Sequence, residues 1–167
     1  MAGKLTDDRM MSASRLPGLL GHSKYSQPND ELQYSINAID GKPREDIGNE
    51  AMAWGNTLEP VVLTEACKRL GITEFNVDIG VPFKSDLCAL QCSLDGIGQG
   101  TGQTVTSNSD LGIYVVGQDS IVLDGPGVLE AKVTKVYPEE TPDLARGPIQ
   151  LQGQLLVTGY KWGAVCV

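Results

Sequence analysis

At 167 residues and 41% hydrophobic composition, the chain is long enough for one domain with one core and too short for two, since domains run about 100 to 200 residues. No apolar run approaches the roughly 20 residues that span a bilayer, and the polar start MAGKLTDDRMMS lacks the apolar stretch of a secretory signal; the expectation is a soluble, cytoplasmic protein. The net charge of −8 excludes a uniformly basic nucleic-acid binder, yet it leaves room for a local basic strip and for carboxylates that a divalent cation neutralises.

Residues 1–11 read as a lead-in. Ser12 or Ser14 then caps a short helical turn toward Leu19 and Leu20, closed by Gly21, with Pro17 early enough to be tolerated. Pro28-Asn29-Asp30 signals a second helix through Glu31 to Ile39, stopped at Gly41 with Pro43 beyond. The third and longest helix covers about 48–70, with Leu58, Val61, Val62 and Leu70 as its apolar stripe and Gly71 at its end. Pro60 removes a backbone donor inside it and predicts a kink or a restart just after Glu59.

From Phe75 the hydrophobic period moves toward two, which predicts short strands near 75–79, 88–94, 112–117, 120–123 and 128–134. The stretch from Gly96 to Asn108 is rich in Gly, Gln, Thr and Ser and reads as a long loop or ragged hairpin. Residues 137–147 read as a polar connector. Ile149 to Tyr160 fits a helix with Leu151 and Leu155 on one face and Gln150 and Gln154 on another. Trp162 to Val167 is strand-like, and ending inside a strand reads as a C-terminally shortened chain.

Cys67, Cys88, Cys92 and Cys166 form neither a CxxC pair nor a zinc-ligand spacing, so buried reduced thiols are expected. The single histidine, His22, lies in a Gly-His-Ser-Lys turn and gives no basis for histidine catalysis.

The chemistry-bearing residues are carboxylates and one lysine. In Val128-Leu129-Glu130-Ala131-Lys132 a strand places Glu130 and Lys132 on one face, where a carboxylate can hold a hard cation and an ammonium can orient a water or offset phosphate charge. Alone, the triplet fits a solvent-facing ion pair on an edge strand better. Asp95, in Ser93-Leu94-Asp95-Gly96, ends a strand that an antiparallel sheet can set beside the Glu-x-Lys strand, although Asp-Gly is also a common turn. Glu59 is a third carboxylate, in the otherwise apolar long helix.

In order along the chain, Ser12-Ala13-Ser14 with Leu19-Leu20-Gly21 and Lys24-Tyr25-Ser26, Gly55-Asn56-Thr57-Leu58-Glu59-Pro60, Ser93-Leu94-Asp95-Gly96, Leu129-Glu130-Ala131-Lys132, and Gln150-Leu151-Gln152-Gly153-Gln154-Leu155-Leu156-Val157-Thr158-Gly159 resemble the YqaJ-type viral recombinase nucleases, relatives of the lambda exonuclease. The resemblance implies an α/β PD-(D/E)XK fold, restriction-endonuclease-like, with a mixed central sheet flanked by helices, as a single domain over 1–167. It implies Mg²⁺ or Mn²⁺ held by Asp95, Glu130, Glu59 and the Ala131 carbonyl, with Lys132 orienting or activating water and Gln150 positioning the nucleophile or scissile phosphate.

Ser14 matches an early serine that faces the DNA 5′ phosphate, and Arg15 or Arg9 supplies a nearby cation. The implied reaction is 5′-to-3′ hydrolysis of one strand at double-stranded DNA ends, with a single-strand annealing protein as partner and a homo-oligomer, a trimer by analogy. The residue before the motif aspartate, often proline in relatives, is Leu94 here. Alternatives are another nuclease of the same superfamily, an iron–sulfur or RecB-like exonuclease or an endonuclease, and a non-catalytic protein that caps DNA ends or docks a partner. The absence of clustered cysteines speaks against the iron–sulfur type, and converging carboxylates that repel one another without metal speak against the scaffold.

Overall fold

The computed structural model describes residues 5–42, 48–77, 79–134 and 147–167. The lead-in is not bare coil: Met11–Ser12 form β1, and a 3-10 turn at Ala13–Arg15 runs into α1, Leu16–Leu19. Helix α2, Pro28–Ile39, begins on a capping box in which the Gln27 N–H donates to Asp30 at 2.8 Å. Helix α3, Glu50–Leu70, starts where Asn49 accepts the Met52 N–H at 2.9 Å. It ends at Gly71, whose φ of 69° lets the Ile72 N–H return to the Cys67 carbonyl at 2.8 Å.

Helix α3 does not restart at Pro60; it runs unbroken through it. Asn56, the residue whose carbonyl loses its helical partner, is exposed, as is Pro60 itself, so water can satisfy the group.

A four-stranded sheet has the order β2-β5-β6-β7, from Glu74–Asn76, Gly96–Thr106, Ser120–Ala131 and Gly163–Cys166. Strands β2, β5 and β6 are antiparallel, and β7 returns parallel to β6 after α4, Pro148–Thr158. A three-stranded sheet has the order β1-β4-β3, with β3 at Phe83–Lys84 and β4 at Leu90–Cys92. Strand alternation on β6 divides the core. Leu129 joins Leu63 and Cys67 of α3, Ile72, Leu123 and Trp162 on one side, while Val128 joins Ala13, Cys92, Leu94 and Leu151 of α4 on the other.

The segment 96–106 is a strand rather than a loop. Its inward positions, Gly96, Gly98 and Gly100, are buried. A Cβ on Gly98 would stand 3.2 Å from both Ile72 and Trp162, and one on Gly100 only 2.3 Å from the Leu123 carbonyl oxygen. The glycines therefore mark close packing, not turn chemistry.

Ser120 to Ala131 is one strand where two were expected, and 112–117 is no strand: among the described residues it contributes only the isolated bridge Asn108 to Ile113. Asp78, within the expected 75–79 strand, and 137–146 of the expected connector lie outside the described residues. No helix among the described residues is long and apolar enough to cross a membrane.

Candidate active site

Glu130 and Lys132 lie on the Val128 face of β6, the face that α4 covers. Glu130 is only 1% exposed, and a buried carboxylate is stable only when both its oxygens find donors. Lys132 Nζ bonds Oε1, and Gln154 Nε2 donates to Oε2 at 2.6 Å. One turn earlier on α4, Gln150 Oε1 accepts from Lys132 Nζ at 3.1 Å. The helix thus offers an acceptor to the cation and a donor to the anion, a consequence of glutamines four residues apart on one helical face.

Asp95 stands just before β5. Gly96 pairs with Leu129, so one step further in the same antiparallel register sets Asp95 opposite Glu130. Its Oδ2 accepts the Ala131 N–H at 2.8 Å. Burial, then the neighbouring charges of Glu130 and Glu59, push the Asp95 carboxyl up to about 8, against the opposing pull of the Ala131 hydrogen bond and Lys132. Glu59, half-buried on α3, is also raised, first by burial and then by Glu130, with Lys132 opposing.

Glu130, Lys132 and Gln150 are therefore in direct contact, Asp95 is tied to the same strand, and Glu59 stands within electrostatic reach. Among the described residues, no three His, Cys, Asp or Glu side chains are drawn into a ready-made ligand cluster. The donors nevertheless suit a hard divalent cation. They are all oxygen, and a carboxyl held near 8 beside two others reports a site short of positive charge.

Of the expected end-contact residues, Ser14 and Arg15 share a second site, whose lining does not include Arg9. Ser14 is exposed, with its Oγ 3.1 Å from Ser12 Oγ, and both line a cleft of about 590 Å³ with Arg15, Tyr34, Asn37 and Lys42. Arg15 is largely committed inside the fold. Its Nε bonds Glu31 Oε2 at 2.7 Å, Nη2 bonds the Glu31 carbonyl, Nη1 reaches the carbonyls of Asp8 and Met10 at 3.5 and 3.4 Å, and the guanidinium lies 4.3 Å over Tyr34. Arg9 forms a two-point pair with Asp7, Nε at 3.0 Å and Nη2 at 2.7 Å, which holds the Asp7 carboxyl down at about 2.

Three thiols behave as expected: Cys67, Cys92 and Cys166 are buried, and burial pushes them to about 11, 12 and 12. Cys88 is the exception and is exposed, in the turn before β4. His22 is exposed, its backbone N–H closing the turn after α1 on the Pro17 carbonyl at 2.8 Å. Gln154 is the site residue that sequence reasoning passed over; its four-residue spacing from Gln150 was the available signal.

The sequence matches the YqaJ-like viral recombinase domain over residues 6–161. The chain belongs to that family. All five segments that carry the resemblance fall within the match. No curated protein matches the chain. Among solved structures, the YqaJ-type fold found here is similar to the crystal structure of LHK-Exo in complex with dAMP, at 18% identity and a TM-score of 0.61, with 95% of this chain and 69% of that chain covered. That likeness shows that the two chains share a fold.

Proposed function

We propose that this chain is a metal-dependent deoxyribonuclease that acts as one domain over residues 1–167 and degrades linear duplex DNA from 5′ ends. The observation that carries the reading is the buried Glu130 bonded to Lys132, with the Asp95 carboxyl, just before the neighbouring strand, raised by burial and by Glu130. Desolvated carboxylates crowded around one lysine have little structural use, and perturbed groups of this kind mark sites of chemistry.

Asp95, Glu130, Glu59 and the Ala131 carbonyl would hold Mg²⁺ or Mn²⁺. Such a cation acidifies a bound water and neutralises charge on the phosphate oxygens. Lys132 Nζ, shared between Glu130 and Gln150, would orient the attacking water or carry charge as the phosphate is attacked. The Gln150 amide, whose oxygen holds Lys132, keeps its nitrogen available to a phosphate oxygen or the nucleophile. Ser14, which lines the cleft with Arg15, would receive the 5′ phosphate, with Arg9 as a further cation. Since Arg15 is clamped by Glu31, Ser14 would contact the ligand directly and Arg15 would contribute chiefly field and shape.

Contacts to phosphate rather than base edges predict little sequence preference. A single-strand annealing protein would take the product strand, and a homo-oligomer, by analogy a trimer, would act in the cytoplasm of the host cell. The reading is tested by incubating labelled linear duplex with the protein in Mg²⁺ and in EDTA, beside Glu130→Gln. Nucleotide release by the native protein in Mg²⁺ alone supports it. Equal release by the variant, or release in EDTA, overturns it.

A further inference from the structure

Gln154 plays no part in the chemistry assigned above, yet its side chain is fully buried. Its two amide hydrogens serve two segments at once. Nε2 donates to Glu130 Oε2 at 2.6 Å and to the Ser93 carbonyl at 3.2 Å. Ser93 lies two residues before Asp95, so one side chain spans both carboxylate-bearing segments. The oxygen of the same amide, Oε1, is buried without a partner among the described residues.

A residue present only to fill space would not bring an unpaired oxygen into the interior, where methionine supplies similar volume without it. The position of α4 is also fixed closely. A Cβ on Gly153 would stand 2.4 Å from Leu16 Cδ1 and 3.1 Å from Ala13 Cβ, so helix and N-terminal turn are closely packed here and a larger residue would have to displace the end of the Leu16 side chain. That approach seats Gln154 against Glu130.

We propose that Gln154 is a positioning residue for the metal centre: its amide nitrogen fixes the rotation of the Glu130 carboxylate and its spacing from the Asp95 segment, leaving Oε1, shared with Lys132, as the edge open to a cation. The inference rests on the nuclease reading. Partners that orient a metal-binding group without touching the metal typically account for 10- to 100-fold in affinity or activity.

The test compares Gln154→Met with the native protein. Mn²⁺ binding without DNA is followed by the electron paramagnetic resonance of the free ion, and kcat and KM are measured on linear duplex. The expected result is Mn²⁺ binding weakened about 10- to 100-fold and kcat lowered with KM for DNA unchanged, alongside a metal-free melting temperature below the native one because Glu130 Oε2 loses its donor. If the native protein binds Mn²⁺ and cleaves while the variant matches it, the positioning role is overturned and the nuclease reading stands. Absence of both Mn²⁺ binding and cleavage in the native protein overturns the two together. Should Gln154→Met not fold, nuclear magnetic resonance of the native protein decides: the Gln154 side-chain amide signals shift on Mg²⁺ titration if the proposal holds, and unmoved signals overturn it.

Discussion

Replacing Asp95 by asparagine removes a charge while keeping shape and an oxygen able to accept the Ala131 N–H. In the folded metal-free protein the Asp95 carboxyl is raised from 3.8 to about 8. Between those values the folded state keeps a proton that the unfolded state has released, so stability falls as pH rises from about 4 to 8 and levels off above. At about 1.4 kcal/mol per pH decade the full penalty is on the order of 5 kcal/mol.

In EDTA at pH 8, Asp95→Asn should therefore melt well above the native protein, and half of that energy already corresponds to about 5 to 10 °C for a chain of this size. At pH 4 the two should coincide. Adding Mg²⁺ at pH 8 should raise the native melting temperature and leave the variant unmoved, because a cation that neutralises the carboxylates removes the same penalty. Thermal unfolding followed by circular dichroism at both pH values, with and without Mg²⁺, makes the comparison. Equal melting temperatures at pH 8 in EDTA, or a less stable variant, would refute the argument that Asp95 is held under electrostatic strain.

Glu130→Ala and Lys132→Ala should each lower DNA hydrolysis at least 100-fold, the usual scale for loss of a positioned group at the reacting atoms, with circular dichroism showing the fold kept; near-native kcat in either removes that residue from the site. Lys132→Met should also cost about 1 to 3 kcal/mol in EDTA at neutral pH, below the usual range for a broken buried pair because Lys132 is 34% exposed while Glu130 is 1% exposed; urea unfolding measures it. Arg15→Met should destabilise by about 3 kcal/mol, since Glu31 is then left without its cation in an environment where both side chains are only 12% exposed; a variant as stable as the native protein would show that the clamp is dispensable. Gly153→Ala should cost about 1 to 3 kcal/mol through the Leu16 and Ala13 contacts and lower kcat by moving α4, whereas native stability and rate would show that this contact relaxes freely.

The elements with local signals were legible: α3 announces its end through Gly71, and the Glu130-x-Lys132 triplet places two heads on one face whatever its neighbours are. Strand β5 was not legible, because Gly96, Gly98 and Gly100 look like loop residues until Ile72, Leu123 and Trp162 are known to lie against them. Strands β1 and β3, two residues each, are too short to show a period. The Asp95 neighbour was misread for a related reason: β5, not the preceding β4, pairs with β6, and β4 belongs to the other sheet. Arg15 looked like a cation available to a phosphate because its partner, Glu31, stands sixteen residues away on the next helix. Gln154 gives the same lesson at the site, since an i, i+4 pair of glutamines has no assigned target until α4 is laid on the Glu130 face.

The most direct measurement is digestion of linear duplex DNA with a 5′ phosphate at one end and a 5′ hydroxyl at the other, in Mg²⁺ and in EDTA, beside a closed circle of the same sequence. The account predicts metal-dependent loss of one strand from the phosphorylated end with the circle intact. Cutting of the circle, or no loss of either strand in Mg²⁺, would contradict it.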